Sequence, residues 1–197
     1  LDTCTIPTVN LYRREKNIPI LRYAQSAYRG GWFETRGSGF RAHCILTDLA
    51  SAYPYIMYHL PDIDSKLNDH RNGWIMGDRG PTIHSWLENS DPLSVGFVEA
   101  MFLFEPDLPF YPLARMSSTG TIVTPRLVRG WFTAEEVKEA LKWPLVTYEL
   151  GRWAYFSDIS KERPFQPFID RFYEMKMNSP SDSPEYAVSK VMLNSLY

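Results

Sequence analysis

Hydrophobic positions recur along this chain in two periods. Residues 94–104, Ser-Val-Gly-Phe-Val-Glu-Ala-Met-Phe-Leu-Phe, form a nearly continuous apolar run, which predicts a buried strand. Leu108-Pro-Phe-Tyr-Pro112 breaks the run, and Leu113-Ala-Arg115 resumes it. Residues 121–123 and 126–132 are further short strands. Thr133-Ala-Glu-Glu136 has the capping-box pattern and opens a helix that runs to about Lys142 and stops at Pro144. Residues 145–155 alternate as a strand. Phe165, Phe168, Ile169, Phe172 and Met175 then recur at helical spacing, predicting an amphipathic helix that ends near Lys176. A polar turn follows, and Pro184 opens a second helix through Tyr197. Val188, Met192 and Leu196 are its packing face against the first helix, so the two form an antiparallel hairpin. Mixed short strands followed by helices predict an α+β fold.

The first third of the chain is less regular. Residues 1–15 carry a helix candidate, and the lack of any leading segment suggests a domain entered midway. Residues 22–36 read as strand-like sequence on either side of Tyr28-Arg29-Gly30-Gly31. Paired glycines permit positive φ and close approach of another molecule. With Tyr28 to stack and Arg29 to meet a phosphate, this element suits a single nucleic-acid strand, and a hairpin turn is the simpler alternative. Next, Cys44-Ile-Leu46 predicts a short buried strand ending in Asp48. Ser51 is the expected N-cap of a helix over 53–58, with Pro54 in its first turn. Residues 59–92 are polar and rich in turn formers; His59, His70 and His84 lack metal-site spacing and read as surface histidines.

Composition narrows the picture. With 197 residues the chain can build one good core or two small ones. The 22% charged and 44% hydrophobic shares are those of a soluble globular protein, with no apolar run long enough to span a bilayer and no signal segment; a cytoplasmic setting, or a host's cytoplasm, is expected. Cys4 and Cys44 make no disulfide framework and read as free thiols. A net charge of −2 argues against wholesale nucleic-acid binding, although an enzyme can concentrate its basic residues in a cleft.

Two clusters carry chemistry. A carboxylate at a strand end, as Asp48 is read here, is a hard oxygen ligand of the kind Mg²⁺ prefers; an Asp that caps a turn is the alternative. Lys190, Asn194 and Tyr197 fall at i, i+4 and i+7 and share one helix face: a cation, an amide and an aromatic, with Lys176 near the end of the partner helix. Such a stripe can take a phosphate, a base edge and a base face. The alternative is a solvated face.

These residues carry a resemblance. Asp48-Leu-Ala-Ser-Ala-Tyr-Pro54 resembles motif A of family B DNA polymerases, Asp-x-x-Ser-Leu-Tyr-Pro. Lys190-Val-Met-Leu-Asn-Ser-Leu-Tyr197 resembles motif B, and Tyr28-Arg-Gly-Gly31 the Tyr-x-Gly-Gly element between exonuclease and polymerase domains. The wording is most similar to the protein-primed polymerases of bacteriophages and linear plasmids. The resemblance implies a partial palm, with a mixed or antiparallel sheet and helices, plus a two-helix fingers hairpin. It divides the chain into 1–36, a linker from the exonuclease region; 37–160, part of the palm with an insertion at about 59–130; and 161–197, the fingers.

It also implies roles. Asp48, with the Leu49 carbonyl, would bind two catalytic Mg²⁺ ions. Tyr53 would lie under the sugar and exclude a 2′-hydroxyl. Lys176 and Lys190 would hold the triphosphate of a dNTP, and Asn194 and Tyr197 would line the nascent base pair. Tyr28, Arg29, Gly30 and Gly31 would contact the template strand of a DNA primer-template. The insertion leaves room to dock a terminal, priming protein; no membrane partner is implied. The family's second catalytic acid, in motif C, is missing, as are an exonuclease domain and a thumb. The chain thus reads as a cloned piece, a proteolytic fragment or half of a split gene, inactive by itself. A non-catalytic module that binds nucleic acid or docks a terminal protein is the alternative.

Overall fold

The computed structural model describes residues 18–30, 39–40, 42–49, 51–62, 73–90, 94–157 and 162–196. In chain order the elements are α1 (Ile18–Ala27), α2 (Ala52–His59), β1 (Trp74–Asp78), α3 (Pro81–Asn89), β2 (Gly96–Phe104), β3 (Arg115–Met116), β4 (Ile122–Val123), β5 (Leu127–Thr133), α4 (Ala134–Ala140), β6 (Leu145–Phe156), α5 (Gln166–Asn178) and α6 (Pro184–Asn194). Contacts divide the chain into two units: 8–33 with 63–160, and 34–62 with 161–197 beside the first seven residues. One division falls after residue 160, and residues 39–62 group with the helical hairpin rather than with the sheet.

The sheet unit is built on β2. Its nine residues alternate strictly between buried and half-buried, as a strand covered on one face must. The sheet order is β1-β6-β2-β5, and every ladder is antiparallel. Register sets Phe102 between Val128 and Tyr148, and Val98 between Phe132 and Trp153. On that face α3 contributes Ile83 and Leu87, and α4 contributes Val137 and Ala140. Full burial of each large side chain is worth about 1.5–3 kcal/mol, so this face is the main source of the unit's stability. α4 starts where the sequence expects, with both reciprocal bonds of the Thr133–Glu136 capping box. α1 packs on β5, where the Tyr23 ring stacks 3.8 Å from that of Trp131.

The second unit is helical. α5 and α6 pack together across the turn at 179–183, and α2 packs on α5. Pro54, Ile169, Ser189 and Leu193 are its buried residues among the helices.

Several expectations are corrected. The predicted strand at 44–46 is not one: the segment has no ladder, and Ile45 and Leu46 are 92% and 97% exposed. A strand exists only with a partner, and no described residue pairs with this one. Residues 18–27, whose later part read as strand-like, are helical, because packing Ile20, Tyr23 and Ala27 onto the sheet overrides a weak local preference. The region 59–92 is not merely polar. It holds β1, which pairs with β6, and α3, in which Pro81 occupies the first turn and His84 lies half-buried. Residues 113 and 114 are buried but outside any strand.

Ser51 precedes α2 in the left-handed region (φ 56°), and its side chain makes no capping bond. On α6 the packing face is Ser189 and Leu193, while Val188 is exposed. Ser189 satisfies its hydroxyl on the Tyr186 carbonyl, 2.8 Å away, so a small polar residue can be fully buried here; a hydrophobicity pattern does not register it. The helix candidate at 1–15, Gly31, His70 and Tyr197 lie outside the described residues.

Candidate nucleotide and template-strand site

The residues singled out in the sequence fall in both units, and each group stands within its own. In the helical unit a segment without regular structure, 42–49, carries Asp48 and Leu49 in the open; Leu49 is 81% exposed. The chain then reverses through Ser51 and enters α2, where Tyr53 is exposed and Pro54 is buried against the unit. α6 presents Lys190 and Asn194 on exposed positions one turn apart. Lys176, in the last turn of α5, is half-buried: its Nζ donates to Ser51 Oγ at 3.2 Å and lies 6.0 Å from the centre of the Tyr173 ring. That bond joins the second helical element to the start of the first. Beside it, Ser51, Pro54, Tyr55, Tyr58, Ile169 and Tyr173 line a cleft of about 310 Å³ between α2 and α5.

The donors fit a divalent cation in type but not in number. Asp48 supplies a hard carboxylate and Leu49 a carbonyl, the ligands Mg²⁺ takes. Among the described residues, no group of three metal-ligating side chains comes together. These residues can therefore contribute to a two-ion site but do not build one.

In the sheet unit the Tyr28–Gly30 segment leaves the C-terminus of α1, with the Tyr28 amide still bonded to the Ala24 carbonyl. Tyr28 is 75% exposed. Gly30 has φ +72°, where a side chain is strained, and a Cβ there would lie 3.9 Å from the Tyr28 hydroxyl. The structure treats Arg29 differently from the sequence expectation. Its Nε donates to the Ala114 carbonyl at 3.1 Å, and its two terminal nitrogens donate to the Ser26 carbonyl at 2.6 Å and the Trp131 carbonyl at 2.7 Å. Its guanidinium carbon also sits 5.4 Å from the centre of the Phe132 ring. Nothing local in the sequence signals these partners, which lie 85 and 102 residues away.

Elsewhere on the sheet, Arg152 Nε meets Glu99 Oε2 at 2.8 Å, and Arg79 pairs with Glu149 at 2.6 Å. The hydrogen bond from Arg152 holds the Glu99 carboxyl below its ordinary range; partial burial works against it, and the Arg152 and Arg129 charges add to it. No helix among the described residues is long and apolar enough to cross a membrane.

Comparison with known proteins gives a consistent picture. The family described as "DNA polymerase type B, organellar and viral" matches residues 14–197. A probable DNA polymerase of Neurospora intermedia is 36% identical over 93 residues, covering 46% of this chain and 9% of the relative. One of Ascobolus immersus is 26% identical over 180 residues, covering 88% of this chain and 13% of the relative. Among solved structures, the orthorhombic form of Phi29 DNA polymerase superposes with a TM-score of 0.53 at 18% identity, over 91% of this chain and 31% of that one. The chain thus spans about a tenth of the length of these relatives and about a third of that structure, and the structural likeness bears on fold.

Proposed function

The chain belongs to the type B DNA polymerases of organelles and viruses, and on that premise we propose that it is the part of a DNA-directed DNA polymerase that holds the incoming nucleotide and one catalytic carboxylate. One observation carries the reading. The Asp48–Pro54 segment and the Lys190–Asn194 helix, 136 residues apart from Pro54 to Lys190, fold into one unit, with Lys176 bonded to Ser51 within it.

In this reading Asp48, with the Leu49 carbonyl, contributes to a site for two Mg²⁺ ions completed by other parts of the longer protein. Bound there, the metal pair supplies electrostatic stabilisation to phosphoryl transfer. The chain's own residues position the reactants, which is most of the work in such chemistry. Lys190 and Lys176 hold the triphosphate of a dNTP. Tyr53, exposed on α2, lies under the sugar and excludes a 2′-hydroxyl. Asn194 and Tyr197 line the nascent base pair. Tyr28, Gly30 and Gly31 face the template strand of a DNA primer-template.

A second role concerns the sheet unit. The inserted region at about 59–130 lies between the two nucleotide motifs in sequence, and most of it folds within the sheet unit of 8–33 and 63–160, which has a core of its own. This supports a docking role toward a terminal, priming protein. Capture of such a protein by the isolated chain without DNA tests it; no capture in the absence of DNA removes it.

Two substitutions in the longer polymerase test the main reading. Asp48→Ala abolishes primer extension while DNA binding persists, and retained extension would sink the metal role. Tyr53→Val admits ribonucleotides; unchanged sugar selectivity removes the steric role of Tyr53.

A further inference from the structure

A guanidinium beside two glycines and an exposed tyrosine reads, in sequence, as a phosphate ligand. Its contacts say otherwise. Arg29, with five N–H donors, makes four hydrogen bonds, all to main-chain carbonyls: Ser26 and Tyr28 beside it, Ala114 in the buried 113–114 segment, and Trp131 in β5. β5 ends the sheet, and a carbonyl on the outer side of an end strand has no ladder partner; Arg29 gives the Trp131 carbonyl one. The Phe132 ring beneath the guanidinium is fully buried, and Ala114 is 2% exposed. Charge-assisted bonds of this kind are the stronger ones, and the planar fork that makes them has no equivalent in lysine.

We propose that Arg29 is a positioning residue that staples the Tyr28–Gly30 turn to the β5 edge and the 113–114 segment, so that the exposed Tyr28 ring is held out for stacking while Arg29 itself pairs no phosphate. This rests on the template-strand role given above to Tyr28 and Gly30. Tyr28 follows α1 directly and its neighbour is anchored on two sides, so its backbone has little freedom. Loosening the anchor costs the stacking contact through geometry rather than through charge.

Charge and geometry separate in one titration. The 197-residue chain is mixed with a fluorescently labelled single-stranded oligothymidylate, and binding is followed by anisotropy across a salt series. Losing one phosphate contact lowers the salt slope by about 0.7 on a single strand, and a lysine can replace a phosphate-binding arginine as a point charge. The staple makes the opposite demand. Arg29→Lys should weaken binding about five-fold or more, as Tyr28→Ala does, at an unchanged salt slope and with a lower unfolding temperature. Wild-type affinity in Arg29→Lys, with about 0.7 of slope lost in Arg29→Gln, would overturn the proposal.

Amide exchange keeps the two readings apart. If the wild-type chain binds no oligonucleotide, the template-strand role fails, and the staple is judged on exchange at residues 113–116 and in β5. Faster exchange in Arg29→Lys supports it; exchange unchanged from wild type sinks it. An Arg29→Lys chain too unstable to assay counts in favour when Tyr28→Ala stays folded, because exposed substitutions seldom carry such a cost.

Discussion

Lys176 Nζ donates to Ser51 Oγ across 3.2 Å, joining the last turn of one helix to the residue that turns the chain into another. Ser51 holds this position in the left-handed region, which costs a residue other than glycine about 1–2 kcal/mol. The lysine charge is therefore held three residues along the chain from Asp48, where an incoming triphosphate would arrive in the proposed reading. Lys176→Met in the longer polymerase should raise the KM for dNTP by about 10–100-fold, the worth of a charged hydrogen bond. Ser51→Ala removes only a neutral partner and should change KM by less than about ten-fold. Steady-state primer extension measures both; equal effects would show that the tie, rather than the charge, matters.

The Thr133–Glu136 box closes the β5–α4 junction. Thr133 Oγ1 accepts from the Glu136 amide at 3.3 Å, and the Glu136 carboxylate accepts from the Thr133 amide at 2.7 Å. Thr133→Val keeps the shape and the β-branched strand end but removes the side-chain acceptor. It should lower stability by about 1 kcal/mol, read as a shift of the urea midpoint at constant slope.

Gly77 in β1 packs directly under a tryptophan. A Cβ at that position would clash with the ring of Trp153, a residue that is 5% exposed and lies opposite Gly77 in the β1–β6 ladder. Gly77→Ala must displace a buried indole. Overpacking of this kind should cost about 1–3 kcal/mol, with a change in near-ultraviolet dichroism that reports on Trp153.

The Glu99–Arg152 pair makes the stability of the sheet unit depend on acid. The bond from Arg152 holds the folded Glu99 carboxyl below its ordinary 4.5. A carboxyl depressed in this way stabilises the fold fully above its unfolded value, and that contribution is lost as pH falls through the folded value. Glu99→Gln should therefore lower the unfolding temperature at pH 7 and leave it near wild type at a pH where the wild-type Glu99 carboxyl is protonated in both the folded and the unfolded state. The Arg152 side chain is 54% exposed, so the difference should be small and should shrink further in salt.

Local chemistry was legible wherever the information is local. The capping box at Thr133, the alternation along β2 and the helical spacing of 165–175 each specify their element within a few residues, and the structure has each where the pattern places it. The motifs that carry Asp48, Tyr53, Lys190 and Asn194 are likewise properties of order and spacing along the chain, and the family they resemble is the one whose model matches residues 14–197. Partners supplied from a distance were not legible. Residues 44–46 have the composition of a strand but no ladder among the described residues, and Ile18–Ala27 is helical because a sheet lies beside it.

By itself, then, the sequence determined the family and the α+β class, since periodicity and motif spacing are written along one dimension. Only the tertiary structure decided where those side chains spend their hydrogen bonds. It gave Ser51 to Lys176 rather than to a helix cap, and Arg29 to the carbonyls of Ala114 and Trp131 rather than leaving it free for a phosphate. The physical reason is the same in both cases: buried or half-buried carbonyls and hydroxyls must be paired, and the nearest donor in space is often far away in sequence.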